Sequence, residues 1–458
     1  MTEEATGEGQ LKRTLGPVML WGLGVGYVIS GMYFGWNLGL PEGGTLGLAI
    51  ATFFIILMYV TFTFSYTELA CAIPRAGGAF DYGSRGLGAD LGFLAGVSQI
   101  IEFVFAPPAI AIAIGTFVNT KYPGLDITLV AVAAYLVFTA LNIAGVRAAA
   151  SFELVITALA VGELLLFAGI TLPHFEVANL KANAFPNGVG GIFAAIPFAI
   201  WFFLAIEGVA NVAEETINPQ RNVLLGFGSA IATLVILCLL TFTASVGVGG
   251  WEAIVYPGGA AEATDAPLLA ALRTLLGEDH VLYNLLISVG LLGLIASFHG
   301  IILAAGRATF EFGRVGYAPA LLGRIHPRLR TPAWALVANM AVGILAIFTG
   351  KTGEIITIAC FGALGLYILS MLSFFKLRQR EPDLPRPFKV PLYPLFPGTA
   401  LVIASVAMVA MAWHNQGLAL IFAGLVSLGY VYFRIFVSPE AKARVIAHDG
   451  PGEGAGKT

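Results

Sequence analysis

Long apolar runs dominate this chain and leave few ways to fold it. About twelve of them, at 17–40, 46–71, 91–118, 125–144, 149–171, 189–213, 223–248, 281–312, 332–349, 353–375, 396–413 and 417–436, approach the length that crosses a bilayer. A helix needs roughly 20 residues to cross a ~30 Å hydrocarbon core. Lipid offers backbone groups no partner, so each crossing must satisfy its own hydrogen bonds, which a helix does within one segment. Composition agrees, with 58% hydrophobic and 11% charged residues, where soluble domains carry about 25% charged residues. So little charge cannot cover a water-facing surface of this size, and no nucleic-acid partner is expected. The expected fold class is an all-α membrane protein of about twelve transmembrane helices, with the lipid bilayer as its surroundings.

Lys and Arg set the expected orientation, because cytoplasmic segments carry an excess of both. With a cytoplasmic N-terminus, the inside segments hold Lys12, Arg13, Arg75, Arg85, Arg147, Arg314, Arg324, Arg328, Arg330, Arg378, Arg380, Lys442 and Lys457, among others. The outside segments hold only Lys121, Lys181, Arg273 and Lys351. The expectation is a multi-pass inner-membrane protein with cytoplasmic tails at 1–16 and 437–458. The opening "MTEEATGEGQ" lacks a basic stretch, so no cleavable signal is expected. Cys71, Cys238 and Cys360 all fall inside spans and read as single buried thiols, not as a disulfide or metal set. No metal and no cofactor are expected.

Two spans are interrupted. The first carries "ISGMYFGWN", residues 29–37, and the sixth, "IPFAIWFFLAIEGVANVAEE", carries Glu207-Gly208 near its middle. Five spans separate their starts, so the two cross in opposite directions. Matching interruptions in oppositely oriented halves point to inverted repeats with a substrate site at the midplane. Close packing of small residues is the plainer reading of span 1 alone, and the matching break in span 6 favours the site.

Intramembrane acids are functional candidates by default, since an ionised group at the bilayer centre costs ~2.5–3.5 kcal/mol or more. Glu68, Glu102, Glu153, Glu163, Glu207 and Glu311 qualify. Glu68, Glu153 and Glu311 lie near the basic ends of their spans and read as structural or gate residues. The expected partner of Glu68 is Arg75 or Arg85. Glu102 lies deep in span 3, followed by Pro107-Pro108, which is expected to disturb the helix and free carbonyls. Glu207 lies in the span 6 break. Aromatic residues flank both breaks: Tyr33, Phe34 and Trp36 after the first, Trp201, Phe202 and Phe203 before the second. Aromatic faces attract ammonium groups by ~0.5–2 kcal/mol. His299 of span 8 and Glu163 of span 5, together with Glu102, are the candidates for proton coupling.

Four segments carry a family resemblance: "YTELACAIPRAGGAFDYGSRGLG" (66–88), "WFFLAIEGVANVAEETINPQRNV" (201–223), "GRATFEFGRVGYAPALLGRIHPRLRTP" (306–332) and "RPFKVPLYPLFP" (386–397). In this order they resemble the amino acid–polyamine–organocation transporter superfamily. The resemblance implies a five-plus-five inverted-repeat (LeuT-type) fold with broken helices 1 and 6. The repeats would be 17–171 and 189–375, with two C-terminal helices at 396–436. "LWGLGVGYVISGMYFGWNLGLPEGG" (20–44) and "GVSQIIEFVFAPPAIAIAIG" (96–115) are similar to ethanolamine permeases within it. The implied activity is alternating-access import of a small organic ammonium, ethanolamine first, with neutral or cationic amino acids as the alternative and no enzymatic step. Backbone groups at Ser30, Gly31, Met32 and Ala205 would line the site, Tyr33 would narrow it, Glu102 would pair with the ammonium, Trp201 and Phe203 would cover it, and Glu207 would brace or contact it. Where some members carry a Lys in mid-span 5, this chain has Ala160.

Overall fold

The computed structural model describes residues 13–75, 77–144 and 149–448. Lys12, Arg147 and Lys457 of the orientation argument, and parts of both expected tails, lie outside the described residues. The described chain is helical, and its one bridge between extended residues joins Leu15 to Thr216.

The first span is built from α1 (Pro17–Val28) and the single turn α2 (Ser30–Tyr33), then a 3-10 turn at Trp36–Gly39. There follow α3 (Leu40–Ala72), α4 (Ala79–Leu87), α5 (Ala89–Lys121), α6 (Ile127–Ala144) and α7 (Ala149–Thr171). A short α8 (Val177–Lys181) leads to the second broken span: α9 (Gly188–Ala194), α10 (Ile196–Trp201) and 3-10 turns at Ile206–Glu215. Then come α11 (Pro219–Gly249), α12 (Trp251–Val255), α13 (Pro267–Leu276), α14 (Val281–Arg314), α15 (Ala333–Ile347) and α16 (Thr352–Arg380). The chain closes with α17 (Leu395–His414), α18 (Gln416–Phe436) and α19 (Pro439–His448).

Among the described residues, nine helical segments are long and apolar enough to cross a membrane. The three other expected spans are the two broken ones and the fifteen-residue α15. Burial sorts the nine into centre and rim: the apolar window of α5 is 83% buried, that of α18 only 6%. An apolar helix left bare by its own protein is one that meets lipid, and Leu420, Leu428 and Phe436 project outward from α18. The core instead packs α5 against α14 and α16.

Each break has a local cause. α2 stops because Phe34 turns extended (φ −158°) and Gly35 follows at φ 88°, a left-handed value that a side chain resists. α10 stops before Ala205, which takes φ 73° without being glycine, at a cost of about 1–2 kcal/mol. One expectation holds only in part: Pro107 and Pro108 deprive the Phe103 and Val104 carbonyls of their helical donors, but they do not interrupt their span, since α5 runs unbroken from Ala89 to Lys121 through both. Neighbours bury that stretch on all sides, and a membrane helix tolerates proline where surrounding helices support the backbone.

Candidate functional site

The two breaks seat on each other. Gly31 lies against the Trp201 carbonyl, and a Cβ there would also stand 3.1 Å from Phe202 Cα. Gly35 lies under the Trp201 indole. Phe34 meets that indole edge-on at 5.4 Å, and Trp36 stacks on Phe202 at 5.6 Å. Only hydrogen at Gly31 and Gly35 permits this approach, so the small residues of span 1 serve contact with span 6.

Beside this junction α5 brings in Glu102, whose Oε1 accepts the Ala205 backbone N–H at 3.1 Å. The strained turn of span 6 is thus held by a side chain from span 3. Glu207, two residues on, accepts the Tyr367 hydroxyl at Oε2 (2.9 Å), and Tyr367 in turn meets the Tyr59 hydroxyl at 3.0 Å. Phe203 packs over the Tyr59 ring at 5.2 Å. Glu102 and Glu207 are each other's charged neighbours and share a side-chain hydrogen bond, with no Lys or Arg beside them among the described residues. The Trp201 Nε1 donor is buried without a hydrogen-bond partner. Buried polar atoms are nearly always paired; here the acid pair and the unpartnered Trp201 indole N–H, which packs over Gly35, lie in an aromatic surround of Phe34, Tyr59, Phe203 and Tyr367 that forms the chamber of the site. The chamber is closed: the side chains named are at most 2% exposed.

An amino acid permease family profile matches residues 15–433. The chain belongs to the amino acid permease family. An uncharacterized transporter of Rhizobium meliloti is 28% identical over 414 residues, covering 88% of this chain and 87% of the relative. The branched-chain amino acid permease BcaP of Bacillus subtilis is 26% identical, covering 89% and 90% respectively. The vacuolar cationic amino acid transporter 2 of Arabidopsis thaliana is 27% identical, covering 82% of this chain and 61% of its own length. The permease is therefore a membrane transporter and not an enzyme.

All nine sequence-expected substrate residues of the permease gather at the two breaks or against them, but several backbone groups are already occupied. Ser30 N–H donates to Ser297 Oγ at 2.9 Å, and that hydroxyl donates to the Gly26 carbonyl at 2.6 Å. Met32 C=O accepts the Trp36 indole N–H at 3.1 Å, and Ala205 N–H is held by Glu102. These three were expected to face substrate, and in this closed form the protein satisfies them itself. Tyr33 points away from the chamber: its hydroxyl donates to the Ala160 carbonyl at 3.2 Å and to the Glu163 carboxyl. Gly290 and Gly293 of α14 make room for its ring. Glu163 and His299 have their own partners and do not join the Glu102–Glu207 pair.

Other acids of the permease find partners far along the chain. Glu68 binds Arg378 (2.7 Å), Arg386 (3.2 Å) and the Val390 N–H (2.7 Å), not the expected Arg75 or Arg85. Arg85 instead pairs with Glu381 at 2.6 Å. Chain folding brings the end of α16 to α3, which sequence proximity cannot foretell. Glu311 pairs with Arg314 one turn on, at 2.8 Å. Sequence reasoning missed Tyr59, Tyr367 and Ser297. Tyr59 and Tyr367 sit in apolar runs with no local signal, and Ser297 stands two residues from His299, which is the residue that draws notice there.

Proposed function

We propose that this permease carries an amino acid, neutral or cationic, across the membrane by alternating access around its two seated breaks. The carrying observation is the buried Glu102–Glu207 acid pair at the span 6 break, with the unpartnered Trp201 indole N–H on the same broken span. An α-ammonium offers donors to the acid pair, and a carboxylate offers an acceptor to the indole N–H. Tyr59, Phe203 and Trp201 add ring faces suited to a cation. The names of BcaP and of the cationic transporter support this class of substrate. On this reading 17–171 and 189–375 are the two inverted repeats, and the segments rich in Arg face the cytoplasm.

Ethanolamine is the second reading, favoured by one observation: the charged groups adjoining the chamber are both acids. A substrate without a carboxylate meets no repulsion there. Uptake by the purified protein in liposomes separates the two. Accumulation of labelled leucine or lysine, inhibited by excess unlabelled amino acid and not by ethanolamine, is the expected result. Ethanolamine uptake that neither amino acid inhibits replaces it with the second reading. Absence of flux for all three overturns both.

A further inference from the structure

A second group of buried titratable residues lies apart from the chamber. Glu153 of α7 is 2% exposed, and neither of its carboxyl oxygens has a hydrogen-bond partner. His299 of α14 places Nδ1 3.8 Å from Glu153 Oε2. That is beyond a hydrogen bond and within one small side-chain movement of it. Two glycines hollow out this place. A Cβ on Gly26 of α1 would stand 2.5 Å from Glu153 Oε1, and one on Gly300 of α14 would stand 3.4 Å from it. The carboxyl therefore lies where α1, α7 and α14 meet, one helical turn before the break in span 1.

The surroundings leave the carboxyl to His299. From α1 comes Tyr27, wedged between Gly208 and Gly300. From span 6 comes Glu215, which Arg307 of α14 already pairs at 2.8 Å. From α6 comes Asn142, whose amide donates to the His299 carbonyl at 3.4 Å. Thr157 of α7 spends its hydroxyl on the Gly22 carbonyl. The facing partner of this buried acid is thus the His299 imidazole, at 3.8 Å.

Resting on the transporter reading above, we propose that Glu153 and His299 form a proton-binding pair that couples proton movement to the opening of the span 1 break. Ser297, two residues from His299 on the same helix, is the hydroxyl that ties Ser30 N–H and Gly26 C=O across that break. A shift of the histidine turn thus acts directly on the latch. In a site without bulk water the pair holds one proton, because a lone buried charge is costly. That proton sits on the carboxyl beside a neutral imidazole, or on the imidazole beside a carboxylate. Passage between the two forms breaks the O–H bond at Glu153 and makes an N–H bond at His299 Nδ1. Opening toward water lets the imidazolium release its Nδ1 proton, which restores the Nε2–H imidazole that can accept at Nδ1 again. A neutral imidazole and a carboxylate remain, and the carboxylate takes the next proton when the opposite side opens. Glu102 and Glu207 are left free for substrate.

The test compares two rates in proteoliposomes, with the substrate that the uptake assay selects. Wild type and Glu153→Gln are assayed for exchange at equal pH on both sides, then for accumulation driven by an inward proton gradient. The expected result is exchange within about threefold of wild type and loss of gradient-driven accumulation. Equal accumulation in both proteins overturns the proposal. A substrate-free measurement stands beside it: infrared pH titration of the full chain in lipid, wild type against His299→Gln. A protonated-carboxyl band whose pH midpoint changes with the histidine supports the pair, and an unchanged band overturns it. This readout uses no transported molecule, so it separates failure of the pair from failure of the substrate assignment.

Discussion

The Ala205 backbone N–H, in a left-handed turn at φ 73°, donates to Glu102 Oε1 at 3.1 Å. One carboxyl thus has two tasks. Oε1 braces the span 6 break, and the carboxyl also pairs with Glu207 in the chamber. The tasks separate by substitution. Glu102→Gln keeps an amide oxygen for Ala205, so folding should survive, while substrate affinity falls at least about tenfold, or about 1.4 kcal/mol. Glu102→Ala leaves the Ala205 N–H buried and unpaired, which costs about 1–3 kcal/mol more in stability. Calorimetric binding and a thermal melt in detergent read the two effects. Equal affinity in Glu102→Gln shows that only the bracing task is real.

Gly31 is the contact point between the breaks. A methyl group there meets the Trp201 carbonyl and Phe202 Cα, which are backbone and cannot swing aside. Gly31→Ala is expected to lose transport by at least about tenfold and to lower the melting midpoint, in line with overpacking costs of about 1–3 kcal/mol. Gly228→Ala, where a Cβ meets nothing within 4 Å, is the control and should match wild type in both readouts.

Glu68 joins α3 to the end of α16 and to the segment after it. Its carboxyl serves two guanidiniums and a backbone N–H. Removing one member of a buried ion cluster strands the rest, at about 3–5 kcal/mol. Glu68→Ala should therefore express poorly or melt far below wild type. Glu68→Gln, which can still accept from Val390, should fall between. A melt of Glu68→Ala at the wild-type midpoint contradicts the cluster's structural role.

Asp265 ties the loop before α13 to the start of α16, accepting the Thr352 hydroxyl at 3.0 Å. Next to it, the Thr264 carbonyl accepts the Asn37 amide, and Asn37 Oδ1 caps Gly35 N–H at the span 1 break. Burial pushes the Asp265 carboxyl up to about 6, against the smaller opposing pull of Thr352. The folded protein therefore binds this proton more tightly than the unfolded chain. The resulting stabilisation is complete below about pH 4 and is lost as pH rises through about 6, about 3 kcal/mol in all. Asp265→Asn removes that contribution. Melting midpoints taken across this window should fall with rising pH more steeply in wild type than in Asp265→Asn; parallel curves count against it.

Much of the site was legible because its signals were violations of local rules. Ser30, Gly31 and Gly35 soften an apolar run, and Glu102 and Glu207 place acids in lipid-length segments, so each stood out in one dimension. Tyr59, Tyr367 and Ser297 break no rule. A tyrosine or serine in a long apolar helix is ordinary, and its role depends on which distant group it faces. The same reason misplaced the partner of Glu68: Arg75 and Arg85 are near in sequence, while Arg378 and Arg386 are near only after folding. Prolines 107 and 108 misled in part and in the other direction, since a rule about isolated helices yielded to a helix packed on all sides.

The sequence by itself determined that this protein is a bundle of membrane helices with two interruptions, because hydrophobic length and backbone propensity act locally and write themselves into consecutive residues. Tertiary structure alone decided that Glu102 would brace Ala205, that Ser297 would latch Ser30 to Gly26, and that Glu153 would meet His299. Those pairings depend on how helices cross and rotate against one another. That arrangement follows from the packing of whole faces, so no short stretch of sequence contains it.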